Sequence, residues 1–350
     1  MKADVVVIGA GPAGSAAAAT AAGGGATVLL LDKKVQIGLP VQCAEYVPLS
    51  LAAEVPMPAQ CIAQKVEGFT THINREQVAQ THAPGYILNR DVFDRYLAER
   101  AVQAGGKLLT NTQAIEVTDQ GVVINNQGKL SMVQASVIIG AEGPKSVVAQ
   151  AMGCEPQALA YAKQITVKLR KRLKWARIYF SPSIHGGYAW VFPKNDWANV
   201  GVSLDLSLGG SVATALREFQ QYLIHEGVIS EEVLRTTGGA IPIGGPRIRT
   251  QQNNLMLVGD AAGHTHAISG EGIFQAIVAG KIAGFLAANS IQTGDLNVLT
   301  QYPDQCAKRF GDFIQRGLQR KDEYNRYKEK MGFSELVRKT WFAFPEYFNS

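Results

Sequence analysis

The sequence predicts an α/β protein, in which a parallel sheet assembled from distant segments is joined by a separate antiparallel sheet and a short helical C-terminus. Three observations carry this expectation. The chain opens with the apolar run Val5-Val6-Val7-Ile8, the turn Gly9-Ala10-Gly11-Pro12-Ala13-Gly14, an alanine-rich helix and a second apolar run, Val28–Leu31, closed by Asp32. Two further short runs, Val137-Ile138-Ile139-Gly140 and Leu255-Met256-Leu257-Val258, have the length and apolar character of buried strands but lie far downstream. Between about Tyr161 and Ile243, strand patterns dominate, which requires a sheet of its own.

The opening unit is a nucleotide-binding βαβ of Rossmann type. Gly9 permits the tight turn off the strand, Gly11 lets a pyrophosphate approach the backbone, and Gly14 lets the helix pack against the sheet. Pro12 and Ala13 start the helix, whose free N–H groups face the phosphates. Ala18 and Ala22 keep one helix face small. Asp32, followed by Lys33, ends the second strand, where a carboxylate accepts ribose hydroxyls.

An extended, proline-punctuated loop follows from Lys33 to Pro58. Asn89-Arg90-Asp91 opens an amphipathic helix with Val92, Phe93, Tyr96, Leu97 and Val102 on the helical period, stopped by Gly105-Gly106. Alternating runs at 113–117, 122–125 and 130–133 predict a small antiparallel meander that brings in Ala114, before the chain returns to the main sheet at 137–140. A helix near 213–225 interrupts the strand-rich region. The last buried strand leads through Gly259-Asp260 into a glycine-rich helix reaching about Ala288, and 304–330 is polar and helical. The expected division is a nucleotide domain of residues 1–60, 86–155 and 246–295, a substrate-binding sheet domain of 61–85 and 156–245, and a helical segment of 296–350.

Composition bounds function further. The chain has 350 residues, 46% of them apolar and 18% charged, which suits a globular protein with a large core. Its N-terminal run is too short to span a bilayer and is committed to the nucleotide fold, so cytoplasmic residence is the expectation. Cys43, Cys61, Cys154 and Cys306 form no CxxC pair, so neither a zinc site nor an iron–sulfur cluster is encoded, and no metal is expected. A net charge of +5 fits anionic ligands or peripheral contact with a membrane surface. No recognition motif accompanies it, so nucleic acid is not an expected partner. Monomer and dimer both stay open.

Gly259-Asp260-Ala261-Ala262-Gly263, followed by Ser269-Gly270-Glu271-Gly272-Ile273, resembles the GD motif of glutathione-reductase-type flavoproteins folded like p-hydroxybenzoate hydroxylase. The resemblance implies FAD, with Asp260 on the ribityl chain and Gly270, Glu271, Gly272 and Ile273 opening a helix toward the pyrimidine edge of the isoalloxazine. A helix N-terminus stabilises the negative charge of a reduced flavin there. It also implies a cofactor contact from Arg90, whose guanidinium suits a pyrophosphate. Gly140-Ala141-Glu142-Gly143 is similar to the DG segment of the hydroxylases, with Glu142 in place of the usual aspartate and Ala149 where an arginine is common. No second GxGxxG follows another strand. NAD(P)H and a reduced protein carrier therefore both stay open as electron donors.

Three features resemble the geranylgeranyl reductase family of FAD-dependent oxidoreductases. Tyr188-Ala189-Trp190-Val191-Phe192-Pro193 matches its YxWxFP signature; on a strand, Tyr188, Trp190 and Phe192 share one face and form an aromatic wall. Gly38-Leu39-Pro40-Val41-Gln42-Cys43 is similar to its GxPVxC segment, which implies Val41 and Cys43 near the flavin. Gly263, Glu271 and Phe274 fit the reductases rather than the hydroxylases, whereas Ala267 replaces a usual proline. The implied function is hydride transfer from reduced FAD to isolated C=C bonds of a polyprenyl substrate. Cys43, Tyr188 and an ordered water are the candidate proton donors, Cys43 slightly favoured, with Trp190 beside them. Tyr188, Trp190, Phe192, Pro193 and His266 would contact the isoprenoid lipid. A histidine pair such as His264 and His266 is more often structural. The basic run 168–174 reads as a solvated hairpin, or as a headgroup site. The alternatives are a flavin-dependent monooxygenase or halogenase and a non-catalytic electron carrier; halogenases carry WxWxIP where this chain has YxWxFP.

Overall fold

The computed structural model describes residues 1–348. In the first sheet five strands run parallel, in the spatial order Leu255–Leu257, Lys129–Gly140, Lys2–Ile8, Val28–Leu31 and Lys107–Leu109. The register aligns their carboxyl ends. Ile8 pairs with both Leu31 and Gly140, and Leu257 with Gly140. Gly9, Asp32, Ala141 and Val258 therefore leave the sheet side by side, at the edge where open α/β sheets bind ligands.

The meander and the returning strand, read separately in the sequence, are one continuous element. Lys129–Gly140 pairs antiparallel with Gly121–Asn126 through its first half and parallel with Lys2–Ile8 through its second. Neither glycine nor proline lies between Val133 and Val137 to break it. Helix Pro12–Gly23 packs on the sheet beside the 21-residue helix Ile273–Thr293. Small residues set their separation: a Cβ on Gly280 would come within 2.1 Å of the Ala13 carbonyl oxygen, and one on Gly284 within 2.3 Å of that of Ala17. Ile273–Thr293 is long and apolar enough to cross a membrane, yet most of it is buried in the protein, as a core helix is.

The second sheet has the order Ile229–Pro242, Leu159–Leu169, Trp197–Leu204, Ala189–Lys194, Ala176–Phe180, Ile62–Ile73, Glu76–Leu88 and Tyr46–Pro48. Its pairings are antiparallel except that of Ala176–Phe180 with Ile62–Ile73. Strand Tyr46–Pro48 thus belongs to this sheet, although the sequence reading grouped it with residues 1–60. Alternation sorts the strand Ala189–Lys194: Ala189 and Val191 pack with Leu216, Phe219 and Leu223 of helix Val212–His225, while Trp190 and Phe192 join an aromatic cluster on the other face.

The polar C-terminal segment is helical over Tyr302–Cys306 and Asp312–Tyr327, with a π-helical turn at Ala307–Gly311 between them. A further helix, Phe333–Thr340, lies within the segment 296–350 that the sequence reads as helical. It delivers Trp341 and Phe344 to the aromatic cluster of the second sheet.

Candidate functional site

A cavity of about 1230 Å³ runs from the carboxyl edge of the first sheet to the aromatic face of the second. It exceeds the roughly 300–1,000 Å³ of a single-ligand pocket. At one end, Gly9 takes φ +101°, and a Cβ there would strike the Ala141 carbonyl oxygen at 2.4 Å. A Cβ on Gly11 would project into open space, so the missing side chain leaves room for a ligand against the backbone. Asp32 accepts from the N–H groups of Ala10 and Lys34, both at 2.8 Å, which fixes its carboxylate at the cavity wall. The helices Pro12–Gly23 and Ile273–Thr293 both begin at glycines, Gly11 and Gly272, with no side-chain cap and no acid in the first turn. Two helix N-termini thus face the cavity with donors free for anionic groups.

Asp260 holds the middle. Its Oδ1 accepts from the Thr265 hydroxyl at 3.1 Å, its carbonyl accepts from Gln157 Nε2 at 2.8 Å, and burial raises its carboxyl above the usual range. Glu142 accepts at Oε1 from the Ser146 hydroxyl at 2.9 Å and the Val148 N–H at 3.1 Å. Its Oε2 is buried without a partner, and burial raises this carboxyl too. Arg90 lines the cavity with its guanidinium paired to Asp94, Nε–Oδ1 2.7 Å and Nη2–Oδ2 2.9 Å. Its expected neighbourhood is the cofactor; the clamp by Asp94 is an addition that sequence reading did not provide.

The junction between the two sheets rests on Glu45, which sequence reasoning gave no role. It is fully buried at φ +76°. Oε1 accepts from the Arg90 N–H at 2.9 Å; Oε2 accepts from Lys194 Nζ and Asn199 Nδ2, both at 2.6 Å. One carboxylate thereby joins the Cys43 loop, the helix Arg90–Gln103 and two strands of the second sheet. No local pattern marks it, because its partners lie 149 and 154 residues away.

The aromatic wall forms as expected. Tyr188 and Trp190 lie 5.9 Å apart, Trp190 and Phe192 6.4 Å, and Trp341 closes on Tyr188 at 5.3 Å. Gly201 makes room for the indole, since a Cβ there would lie 2.2 Å from Trp190. The Trp190 Nε1–H donates to Gln164 Oε1 at 3.1 Å, and Gln164 Nε2 donates to the Cys43 carbonyl at 3.0 Å. The Tyr188 hydroxyl donates to the Ser269 carbonyl at 2.5 Å, and burial raises the phenol further above its usual range. The proton of this phenol, one of three candidate donors, thus lies in a hydrogen bond to the backbone. Cys43 Sγ accepts from the Glu45 N–H at 3.2 Å, and burial pushes the thiol up.

On the turn before Ile273–Thr293, the Ser269 N–H donates to His266 Nδ1 at 3.1 Å, so Nδ1 is unprotonated and Nε2–H faces the Tyr347 hydroxyl at 2.9 Å. Burial lowers both His264 and His266 to about 4 and keeps them neutral. Glu271, between Gly270 and Gly272, lines the same space, and burial pushes its carboxyl up to about 7.

Of the residues singled out from sequence, Gly9, Gly11, Pro12, Ala13, Asp32, Lys33, Val41, Cys43, Arg90, Ala114, Ala141, Glu142 and Gly143 line the cavity. So do Tyr188, Trp190, Phe192, Gly259, Asp260, His266, Gly270, Glu271, Gly272 and Ile273. Three do not. Pro193 is buried on the opposite face, as the strand period of two dictates, which corrects its place in the substrate set. Gly14 and Gly140 act by packing: a Cβ would lie 1.8 Å from the Gly9 carbonyl oxygen and 2.7 Å from Val148 Cβ, respectively.

The residues fit FAD. Gly11 leaves a cradle that a Cβ would fill, both helix N-termini open on the cavity, and Asp32 holds a carboxylate at its wall that would accept ribose hydroxyls. Residues 4–155 match the family described as FAD dependent oxidoreductase. The chain is 36% identical over 333 residues to digeranylgeranylglycerophospholipid reductase 1 of Methanopyrus kandleri, covering 89% of this chain and 88% of that protein. It is 30% identical over 344 residues to digeranylgeranylglycerophospholipid reductase of Methanococcus aeolicus, covering 93% and 88%. A geranylgeranyl bacteriochlorophyll reductase-like protein from Thermoplasma acidophilum superposes with a TM-score of 0.87 at 25% identity, covering 98% of this chain and 91% of that one. A flavin-dependent brominase triple mutant shares the fold, with a TM-score of 0.73 at 18% identity and coverage of 95% and 91%.

Proposed function

The chain belongs to the geranylgeranyl reductase family of FAD-dependent oxidoreductases, and from that premise we propose that it reduces isolated C=C bonds in the geranylgeranyl chains of a glycerophospholipid. The observation that supports this reading is the continuity of one cavity: the cradle at Gly11 and the wall of Tyr188, Trp190 and Phe192 are parts of the same space. When bound and reduced, FAD supplies the hydride.

The chain's own residues supply binding, alignment and dryness. Gly9, Gly11 and the first turn of Pro12–Gly23 hold the dinucleotide phosphates, and Asp32 the ribose. Trp190, fixed through Gln164 to the Cys43 loop, and Phe192 offer an apolar surface along which a prenyl chain lies with a double bond against the flavin. Tyr188, tied to Ser269, locks this wall to the turn before the second cofactor helix. Cys43 shapes the space between wall and cradle with a neutral thiol. NAD(P)H or a reduced protein carrier supplies electrons in this reading, and the enzyme works in the cytoplasm at the surface of the membrane that holds such a lipid.

The test is a product analysis. Protein reduced chemically without oxygen and incubated with a digeranylgeranyl glycerophospholipid should yield lipid heavier by two hydrogens per reduced double bond. Unchanged lipid, with flavin that reoxidises only in air, would transfer the assignment to oxygen chemistry.

A further inference from the structure

Reduction of a C=C bond needs a proton as well as a hydride, and among the carboxyls of the cavity Asp260 accepts from Thr265, and Glu142 from Ser146 and the Val148 N–H. The Tyr188 hydroxyl donates its hydrogen bond to the Ser269 carbonyl, and burial makes the phenol a weaker acid still. His266 has both nitrogens occupied, by Ser269 and Tyr347. The Cys43 sulfur accepts from the Glu45 N–H, and burial pushes its thiol up, which makes it a weaker acid than a carboxyl. Glu271 differs from all of these. Its backbone is anchored, the N–H donating to Ser269 Oγ at 3.4 Å and the carbonyl accepting from the His266 N–H at 2.9 Å. The residue lines the cavity and, among the described residues, no hydrogen bond or ion pair reaches its carboxyl.

We propose that Glu271 is the acid that protonates the alkene, an inference that rests on the reductase reading above. The π bond breaks; one carbon takes the hydride from the reduced flavin, which loses two electrons, and the neighbouring carbon takes the Glu271 proton. Water reprotonates the resulting carboxylate. The placement suits this role, because Glu271 stands between the two glycines that begin the second cofactor helix and lines the same cavity as Tyr46 and Tyr188, within electrostatic reach of both phenols. Those phenols are neutral, and among the described residues no cation pairs with the carboxyl to hold it ionised. Burial keeps it protonated up to about pH 7, near the working range in which a general acid is most effective.

Two measurements test this. In isotope-edited infrared spectra of the oxidised holoenzyme, a protonated-carboxyl band that disappears in Glu271→Gln should titrate near 7; titration in the ordinary glutamate range, about 4.3, overturns the proposal. In anaerobic mixing with prenyl lipid, Glu271→Gln of unchanged flavin content should reoxidise at least about 100-fold more slowly. The unmodified protein should slow as pH rises through about 7, and the variant should lack that dependence. A variant of undiminished rate and unchanged pH profile overturns the proposal alone. Flavin in the unmodified protein that no prenyl lipid reoxidises overturns the reductase reading and this proposal together.

Discussion

Glu45 shows how much of this site depends on a single side chain. Its carboxylate has no exposure and is the common acceptor for Lys194, Asn199 and the Arg90 backbone. Removing one partner from such a buried pair leaves an uncompensated charge, which costs about 3–5 kcal/mol. Glu45→Ala should therefore lose stability of that order in denaturant titration and release flavin as the Cys43 loop detaches. Lys194 sits in the same sequence segment as the aromatic signature, yet its ion-pair partner was illegible there. Pairing across 149 residues follows from the folded junction, not from any local pattern. The cofactor glycines were legible because their spacing sets a local turn, Gly9 at positive φ and Gly14 packed on the Gly9 carbonyl, even though Gly9 also lies against the distant Ala141.

Among elements, the crossing of Pro12–Gly23 and Ile273–Thr293 positions both halves of the cofactor cradle. Gly280→Val would drive a side chain into the Ala13 carbonyl oxygen, 2.1 Å from the new Cβ. Overpacking of this kind costs about 1–3 kcal/mol. The variant should unfold at lower denaturant and purify with less bound flavin, while a substitution at exposed Phe285 on the same helix should change neither. Strongly patterned elements were readable, including the opening unit and the helix Val212–His225, where capping and periodicity agree. Joins were less readable. Lys129–Gly140 serves two pairing modes, Tyr46–Pro48 crosses to the second sheet, and Phe333–Thr340 is a short helix stabilised by the aromatic cluster it enters. In each case a tertiary partner decides the outcome, which local propensity does not contain.

Taken whole, the molecule buries titratable groups of opposing tendency on and beside the turn before Ile273–Thr293. His264 and His266 are held near 4, below the roughly 6.5 of an unfolded chain. Between those values the unfolded chain binds more protons, so their contribution is complete above about pH 6.5 and is lost as pH falls toward 4. Glu271 runs the other way: raised to about 7, it favours the fold below the unfolded glutamate pKa and opposes it as pH rises through 7. Thermal unfolding should therefore find His264→Asn losing less stability than the unmodified protein between pH 6.5 and 4.5. Glu271→Gln should gain on the unmodified protein above pH 7.

The central claim is that this cavity brings a prenyl double bond to a reduced flavin, and single-turnover spectroscopy without oxygen tests it most directly. Pre-reduced protein mixed with digeranylgeranyl glycerophospholipid should regain the oxidised-flavin absorbance in proportion to lipid double bonds reduced, and Trp190→Ala should slow that return. Absorbance that stays bleached with the lipid and returns only when air is admitted would contradict the account.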